Sequence, residues 1–485
     1  MTLRHSLAVL AAVVTVGGGS LSVQAKPRKA PPAPPALPAA GVLHLPAVIG
    51  SNMVLQRDVP LPIWGWAGAG HKVTVKLGGV EKTATADDKG KWTLTLPAQK
   101  SGGEALTMTV SAPPAPGTDK PQVIELTNIL VGEVWLASGQ SNMEWGVAGS
   151  RDAAKEIAAA KLPRIRLFNV PKVQTGAPSH DVAAQWVECS PESVRGFSAV
   201  AFFFGRVINK ELDVPVALIN ASWGGSPIQP WTPPAGYELV PRFKTVKVQP
   251  GPATMFNGMV APLAPFAIRG ALWYQGETNC IQNDGLFYTE RMKALVLGWR
   301  KVWNQGDFPF YSVQIAPWAG YKPSLPTFWQ AQLDSVRLIP NTGLAQTTDL
   351  VADVGNIHPV DKVDVGARLA RLALKGAYGR KDVVTSGPTF KAMTVKNGKA
   401  VVTFDGVAGG LASKDDKELA CFEIAGADKK FVPAKATIEG NTVVVSAAEV
   451  PVPVAVRMSW SNTARPNLVS QEGLPAWPFR TDDWE

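Results

Sequence analysis

The chain has 485 residues, of which 46% are apolar and 18% charged, and its formal net charge is +9. That balance describes a core-forming globular protein of two or three domains and excludes a disordered chain. The basic residues form no dense patch interleaved with aromatics, which excludes nucleic acid as a partner.

Residues 1–25 read as a secretory signal peptide: a positive start at Arg4, an apolar core over 6–16, and the small-residue site Val23-Gln24-Ala25. That core is too short to span a bilayer, which takes roughly 20 residues. No other stretch is a candidate membrane span, so the expected location is secreted or periplasmic. Residues 26–40 are a Pro/Ala-rich linker, Ala30-Pro31-Pro32-Ala33-Pro34-Pro35 within it, that cannot build a core.

Residues 41–127 read as an N-terminal β-sandwich. Val73 and Val75 alternate with polar neighbours, and Asp87-Asp88-Lys89-Gly90 predicts a hairpin turn between two strands. Residues 128–380 alternate strands and helices. Strands are predicted at 131–137, 164–168, 214–220, 268–274, 308–315 and 343–347, and helices at 199–212 and 287–303. Such alternation implies an α/β domain with a doubly wound, mostly parallel sheet. Residues 381–485 return to β, with Asn397-Gly398 as a two-residue hairpin, and predict a C-terminal β-sandwich. The three cysteines, Cys189, Cys280 and Cys421, lie far apart without a C-x-x-C pair. At least one thiol must be free, no metal site is expected, and Cys280 reads as a packed thiol.

The chemistry is expected where the first predicted strand of the α/β domain ends. An apolar run closes on Ser138-Gly139-Gln140-Ser141-Asn142, and Gly139 permits a sharp turn. A strand-to-helix turn of this kind lifts a serine to the carboxyl edge of the sheet as an acyl-transfer nucleophile. Ligands of doubly wound sheets bind beyond those edges. Ser141, Gly224-Gly225 and Gln275 each follow a predicted strand there. Ser141 needs a base, and histidine suits proton transfer at neutral pH. Of five histidines, His5 leaves with the signal, His44 and His71 fall in the β region, and His180 sits beside Asp181 in a polar loop. His358 remains, in a loop after a predicted strand and before a helical pattern.

Four segments carry a resemblance: Gly139-Gln140-Ser141-Asn142-Met143, Ser222-Trp223-Gly224-Gly225, Trp273-Tyr274-Gln275-Gly276-Glu277-Thr278-Asn279 and Asn356-Ile357-His358-Pro359. Together they resemble the four sequence blocks of SGNH (GDSL-type) hydrolases, and more narrowly the sialate O-acetylesterase group of carbohydrate esterases. The resemblance runs from about residue 45 to 479. It implies an SGNH, flavodoxin-like fold and a serine esterase that removes O-acetyl groups from carbohydrates through an acetyl-Ser intermediate, without metal or cofactor. It also implies an oxyanion hole made by the Ser141 and Gly225 N–H groups and the side chain of Gln275, which stands where the family commonly has asparagine.

Most SGNH relatives place an aspartate three residues before the histidine; here that residue is Gly355. The acid's task is to fix the imidazole tautomer and stabilise the imidazolium. Glu277 and Asp353 are equal candidates, Asp349 follows, and a main-chain carbonyl would make a Ser-His dyad. The competing reading is a carbohydrate-binding or adhesion protein on an inactive esterase scaffold, against which intact Ser141, Gly225, Gln275 and His358 speak. A lipid esterase is a third, and the chain has no long apolar lid segment. The acetylated sugar, whether sialic acid or a plant polysaccharide such as xyloglucan or xylan, is not readable from the sequence.

Overall fold

The computed structural model describes residues 33–246, 252–321, 325–407 and 409–484. The expected signal and the start of the expected linker lie outside them; residues 33–39 carry neither helix nor strand. No helix among the described residues is long and apolar enough to cross a membrane.

The central sheet runs Thr342–Ala345, Phe310–Val313, Gly270–Tyr274, Gln122–Gly139, Val216–Ser222, Leu162–Asn169, Trp186–Cys189. Neighbours pair in parallel except the last two, which are antiparallel. Strands in such a sheet are buried on both faces and so read as continuous apolar runs. Every residue of Val216–Ser222 and of Gly270–Tyr274 is buried. Alternate side chains enter opposite cores. Val134 and Leu136 pack with residues of helices Tyr288–Trp303 and Leu325–Leu338. Trp135 and Ala137 pack with Ala199–Leu212 and Lys362–Gly376. The sheet is therefore wound on both faces, and all six predicted strands are in it. The short edge strand Trp186–Cys189 and the helix Leu325–Leu338 were not foreseen.

The predicted 131–137 strand is much longer than expected. It spans Gln122–Gly139, and its first half pairs antiparallel with Leu106–Ala112 in a small amino-terminal sheet. Asn128, at φ 57°, interrupts the run. The expected boundary between residues 127 and 128 thus falls inside one strand. Before Asn128 exposed residues alternate with partly or fully buried ones; from Val131 on it is wholly buried. That change of pattern makes one strand look like two.

The turn Asp87–Gly90 forms, with Gly90 N–H donating to Asp87 O at 2.8 Å, but it does not close a hairpin. Val80–Thr85 pairs with Lys72–Leu77, whereas Lys91–Leu96 pairs with Leu61–Trp66. The turn carries the chain from one small sheet to another. At the other end, Asn397-Gly398 does join a hairpin, with φ of 51° and 71°. The residues after it form small antiparallel sheets around their own core.

This carboxyl-terminal β region grips the loop that follows Thr342–Ala345. Lys414 Nζ donates to Asp349 Oδ2 at 2.8 Å, and Arg465 donates to Ala352 O at 3.1 Å. Asn462 donates to Tyr321 O at 2.6 Å and accepts from Leu325 N–H at 2.8 Å.

Where the central strand ends, Gly139 has φ 137°, and a Cβ there would stand 2.1 Å from Tyr274 O on the adjacent strand. Backbone must move to admit one. Gly139→Ala is expected to cost about 2 kcal/mol or more of stability, read as a lower thermal midpoint. An unchanged midpoint would show that the turn does not need the close approach.

Candidate active site

The turn after Gly139 puts Ser141 at the start of the short helix Ser141–Glu144, at the carboxyl edge of the central strand. His358 arrives from the far loop. Its Nε2 lies 2.9 Å from Ser141 Oγ, a hydrogen-bond distance. The Trp145 ring stacks on the imidazole at 4.8 Å between centroids and 22° between planes, and Trp145 Nε1 is itself fixed to Gly149 O at 2.7 Å.

None of the three expected acids reaches His358. Glu277 is buried one layer below, where it accepts from Asn142 Nδ2 at 2.5 Å. Asp353 is exposed and accepts from the Gly355 N–H at 2.7 Å. Asp349 is bound by both Arg368 nitrogens, at 2.6 and 2.7 Å, and by Lys414. Among the described residues no carboxylate and no carbonyl lies within hydrogen-bond reach of His358 Nδ1. The nearby charge is of the opposite sign to a triad acid. Burial first, and the Lys362 ammonium second, hold the His358 pKa below the ordinary histidine value.

Gln275 is likewise set back. It is fully buried, and its Nε2 donates to Asn279 Oδ1 at 2.7 Å, Gln140 Oε1 at 3.1 Å and Ser226 O at 3.3 Å. Its Oε1 accepts from Tyr288 at 2.8 Å, which fixes which end of the amide is which. An amide with two N–H bonds and three acceptors has no donor left for an oxyanion. Gln275 instead braces Gln140, the residue before Ser141. The Gly224 N–H is also occupied, donating to Glu144 Oε2 at 2.6 Å. Gly225, at φ 73°, is exposed and its N–H has no acceptor in the described chain. The Ser141 N–H is equally free. A Cβ at Gly224 would crowd Glu144 Oε2 at 3.1 Å and Ser141 Cβ at 3.3 Å.

Two residues at the centre of this arrangement were missed in the sequence. Asn142 is fully buried and joins both sides of the site. Its Nδ2 donates to Glu277 and, at 3.1 Å, to Ile357 O beside His358; its Oδ1 accepts from Lys362 Nζ at 2.6 Å. Asn142 had a signal, since it follows Ser141 within a quoted motif. Lys362 had none, because a lysine next to the capping residue Asp361 looks like a solvated helix start. Burial pushes the Lys362 pKa down to about 7, against the pull of Glu277 and Asp361. Burial also raises the Glu277 pKa, against the hydrogen bond from Asn142 and the charge of Lys362.

At the rim, Lys172 pairs with Glu144 and its Nζ stands 5.9 Å from the centre of the Trp223 ring. Cys280 is buried, with its thiol pushed up to about 12 by burial. All three cysteines are free thiols. No cluster of His, Cys, Asp or Glu fit to hold a metal ion occurs among the described residues.

Comparison with known proteins bears on what such a site does. Residues 131–375, just over half of the chain, match the family described as carbohydrate esterase, sialic acid-specific acetylesterase. Sialate O-acetylesterase of Homo sapiens is 29% identical over 486 residues, covering 89% of this chain and 91% of the human protein. The Rattus norvegicus protein of the same name is 29% identical over 434 residues, covering 74% and 78%. Among solved structures, a carbohydrate acetylesterase from Xanthomonas citri is 35% identical with a TM-score of 0.82, over 91% of this chain and 100% of that one. The chain therefore belongs to the carbohydrate esterase, sialic acid-specific acetylesterase family, as a carbohydrate O-acetylesterase-like hydrolase.

Proposed function

We propose that the protein is a serine esterase of SGNH type that hydrolyses O-acetyl esters on carbohydrates with a Ser141–His358 dyad. The observation that carries this is the 2.9 Å approach of His358 Nε2 to Ser141 Oγ at the carboxyl edge of the sheet. Ser141 Oγ attacks the acetyl carbonyl while His358 Nε2 takes its proton. The same proton passes to the departing sugar oxygen, leaving acetyl-Ser141 and a free hydroxyl. Water then attacks the acetyl group with His358 Nε2 taking its proton; the bond from the acetyl carbon to Ser141 Oγ breaks, Oγ takes that proton back, and acetate is released. The Ser141 and Gly225 N–H groups receive the oxyanion, being the donors left without acceptors. The Trp145 stack orients the imidazole in place of a carboxylate.

The charges at the rim support a neutral acetylated sugar, such as a xyloglucan or xylan unit, over an anionic sialate. Lys172 is already neutralised by Glu144 and Lys362 is buried, so neither offers an unpaired charge to a carboxylate. Acetate release from a panel of acetylated xyloglucan, xylan and sialic acid tests this, and faster release from the sialate would reverse it.

Ser141→Ala is expected to lower kcat by about 10⁴-fold or more with its thermal midpoint preserved. Near-native turnover by the folded variant would end the serine-esterase reading.

A general base must be neutral, so kcat/KM should fall as pH drops through the His358 pKa. With burial and Lys362 both opposing protonation, that midpoint should lie below the ordinary value of about 6.5. Asp353→Asn should leave the profile in place. A midpoint clearly above 7, or one that moves in Asp353→Asn, would instead place a carboxylate on the base.

We place the reaction outside the cytoplasm on the signal-like residues 1–25. Mass spectrometry of exported protein is expected to find Lys26 at the amino terminus, and an intact Met1 would contradict that.

A further inference from the structure

Lys362 opens the helix Lys362–Gly376, a position from which a lysine ordinarily reaches water. Its side chain instead turns inward and is fully buried. The ammonium sits on Asn142 Oδ1 at 2.6 Å and 5.3 Å from the centre of the Tyr274 ring. Removing an ammonium from water is costly, and an apolar side chain of similar volume would fill the space as well or better. Stability alone therefore does not account for a lysine here. What an apolar residue lacks is the charge and the donor, and both are directed at the amide that joins Ser141 to the His358 loop.

We propose that Lys362 is a positioning residue for the Ser141–His358 pair: its buried ammonium fixes the Asn142 amide in the orientation that links both, and keeps the imidazole in its neutral, proton-accepting form. This rests on the reading of Ser141 and His358 as nucleophile and base.

The orientation argument is steric and electrostatic. If the Asn142 amide flipped, its NH₂ would face the Lys362 ammonium and its carbonyl would face the Glu277 carboxylate. Both contacts would then be repulsive, and Ile357 O would lose its donor. The charge argument depends on which groups surround each partner. His358 meets Ser141 and Trp145 from the nucleophile's turn, and Lys362 acts on it from the helix. Asp353 on its own loop is exposed and engaged by Gly355. Lys362 is faced by Glu277 across Asn142, by Tyr274, and by Asp361, which is itself paired with Arg151. Glu277 and Asp361 keep the ammonium charged to about pH 7 despite its burial. The positive charge is thus present on the acidic side of pH 7, where the lowered His358 midpoint lies.

The test is an NMR titration of the His358 Cε1–H signal beside the pH profile of kcat/KM on p-nitrophenyl acetate. Native protein, Lys362→Met and Lys362→Gln are compared; the glutamine keeps an N–H donor without the charge. Native His358 is expected to titrate below about 6.5. Both variants should raise the NMR midpoint and the acidic limb together by about one pH unit. A native midpoint at or above the ordinary value overturns the proposal without any variant being needed. So do midpoints that stay put in both folded variants, or that move in the methionine variant alone. If native protein hydrolyses no acetyl ester, or Ser141→Ala remains fully active, the esterase reading fails instead, and the NMR midpoints still decide the role of Lys362.

Discussion

Everything around Ser141 depends on one buried amide. Asn142 uses both N–H bonds and its carbonyl, and each reaches a different part of the fold. Glu277 comes from the helix after Gly270–Tyr274, Ile357 from the long loop, and Lys362 from the helix after that loop. Ser141 is attached through the backbone itself. A hydroxyl and an imidazole that arrive on segments 217 residues apart can be held within hydrogen-bond distance only if something rigid spans them. The amide does so because its neighbours carry opposite charges and so leave it one orientation. In a medium of low dielectric such hydrogen bonds are stronger than in water, and an unmatched one is correspondingly costly. One cost is visible: Glu277 Oε2 is buried without a partner among the described residues.

The arrangement differs in sign from a serine–histidine–acid triad. There a carboxylate on the far nitrogen strengthens the base and favours imidazolium. Here an ammonium stands near the imidazole and a carboxylate stands behind the ammonium, separated by Asn142. In the proposed dyad His358 is then a weaker base, with its pKa held below the ordinary value. Orientation comes from elsewhere: the face of Trp145 limits the plane of the ring, and Ser141 receives the edge.

Much of the scaffold was legible because parallel strands buried on both faces are written as apolar runs between helical periods. The predicted runs 214–220 and 268–274 gave both the strands and the side of the sheet on which a site forms. Elimination brought His358 to Ser141 because only one histidine lay after a predicted strand of the α/β domain. Other features were hidden for physical reasons. Glu277 and Gln275 lie in the same block and follow the same strand, yet both turn beneath the site; which way a loop side chain points depends on what lies under it. Lys362 was hidden because burial of a charge is a tertiary decision, and its local sequence is that of an ordinary helix start. Only the second half of the strand Gln122–Gly139 was read, because exposure changes halfway along it while the backbone continues.

The grip of the carboxyl-terminal β region on the loop before His358 has a consequence for how activity is acquired. Lys414 and Arg465 are among the later residues to be synthesised, and they bind Asp349 and Ala352 of that loop. In a chain made from its amino end these anchors are synthesised after every strand of the central sheet and after both Ser141 and His358. Changes in the distal β region can therefore reach the histidine's loop without touching either Ser141 or His358.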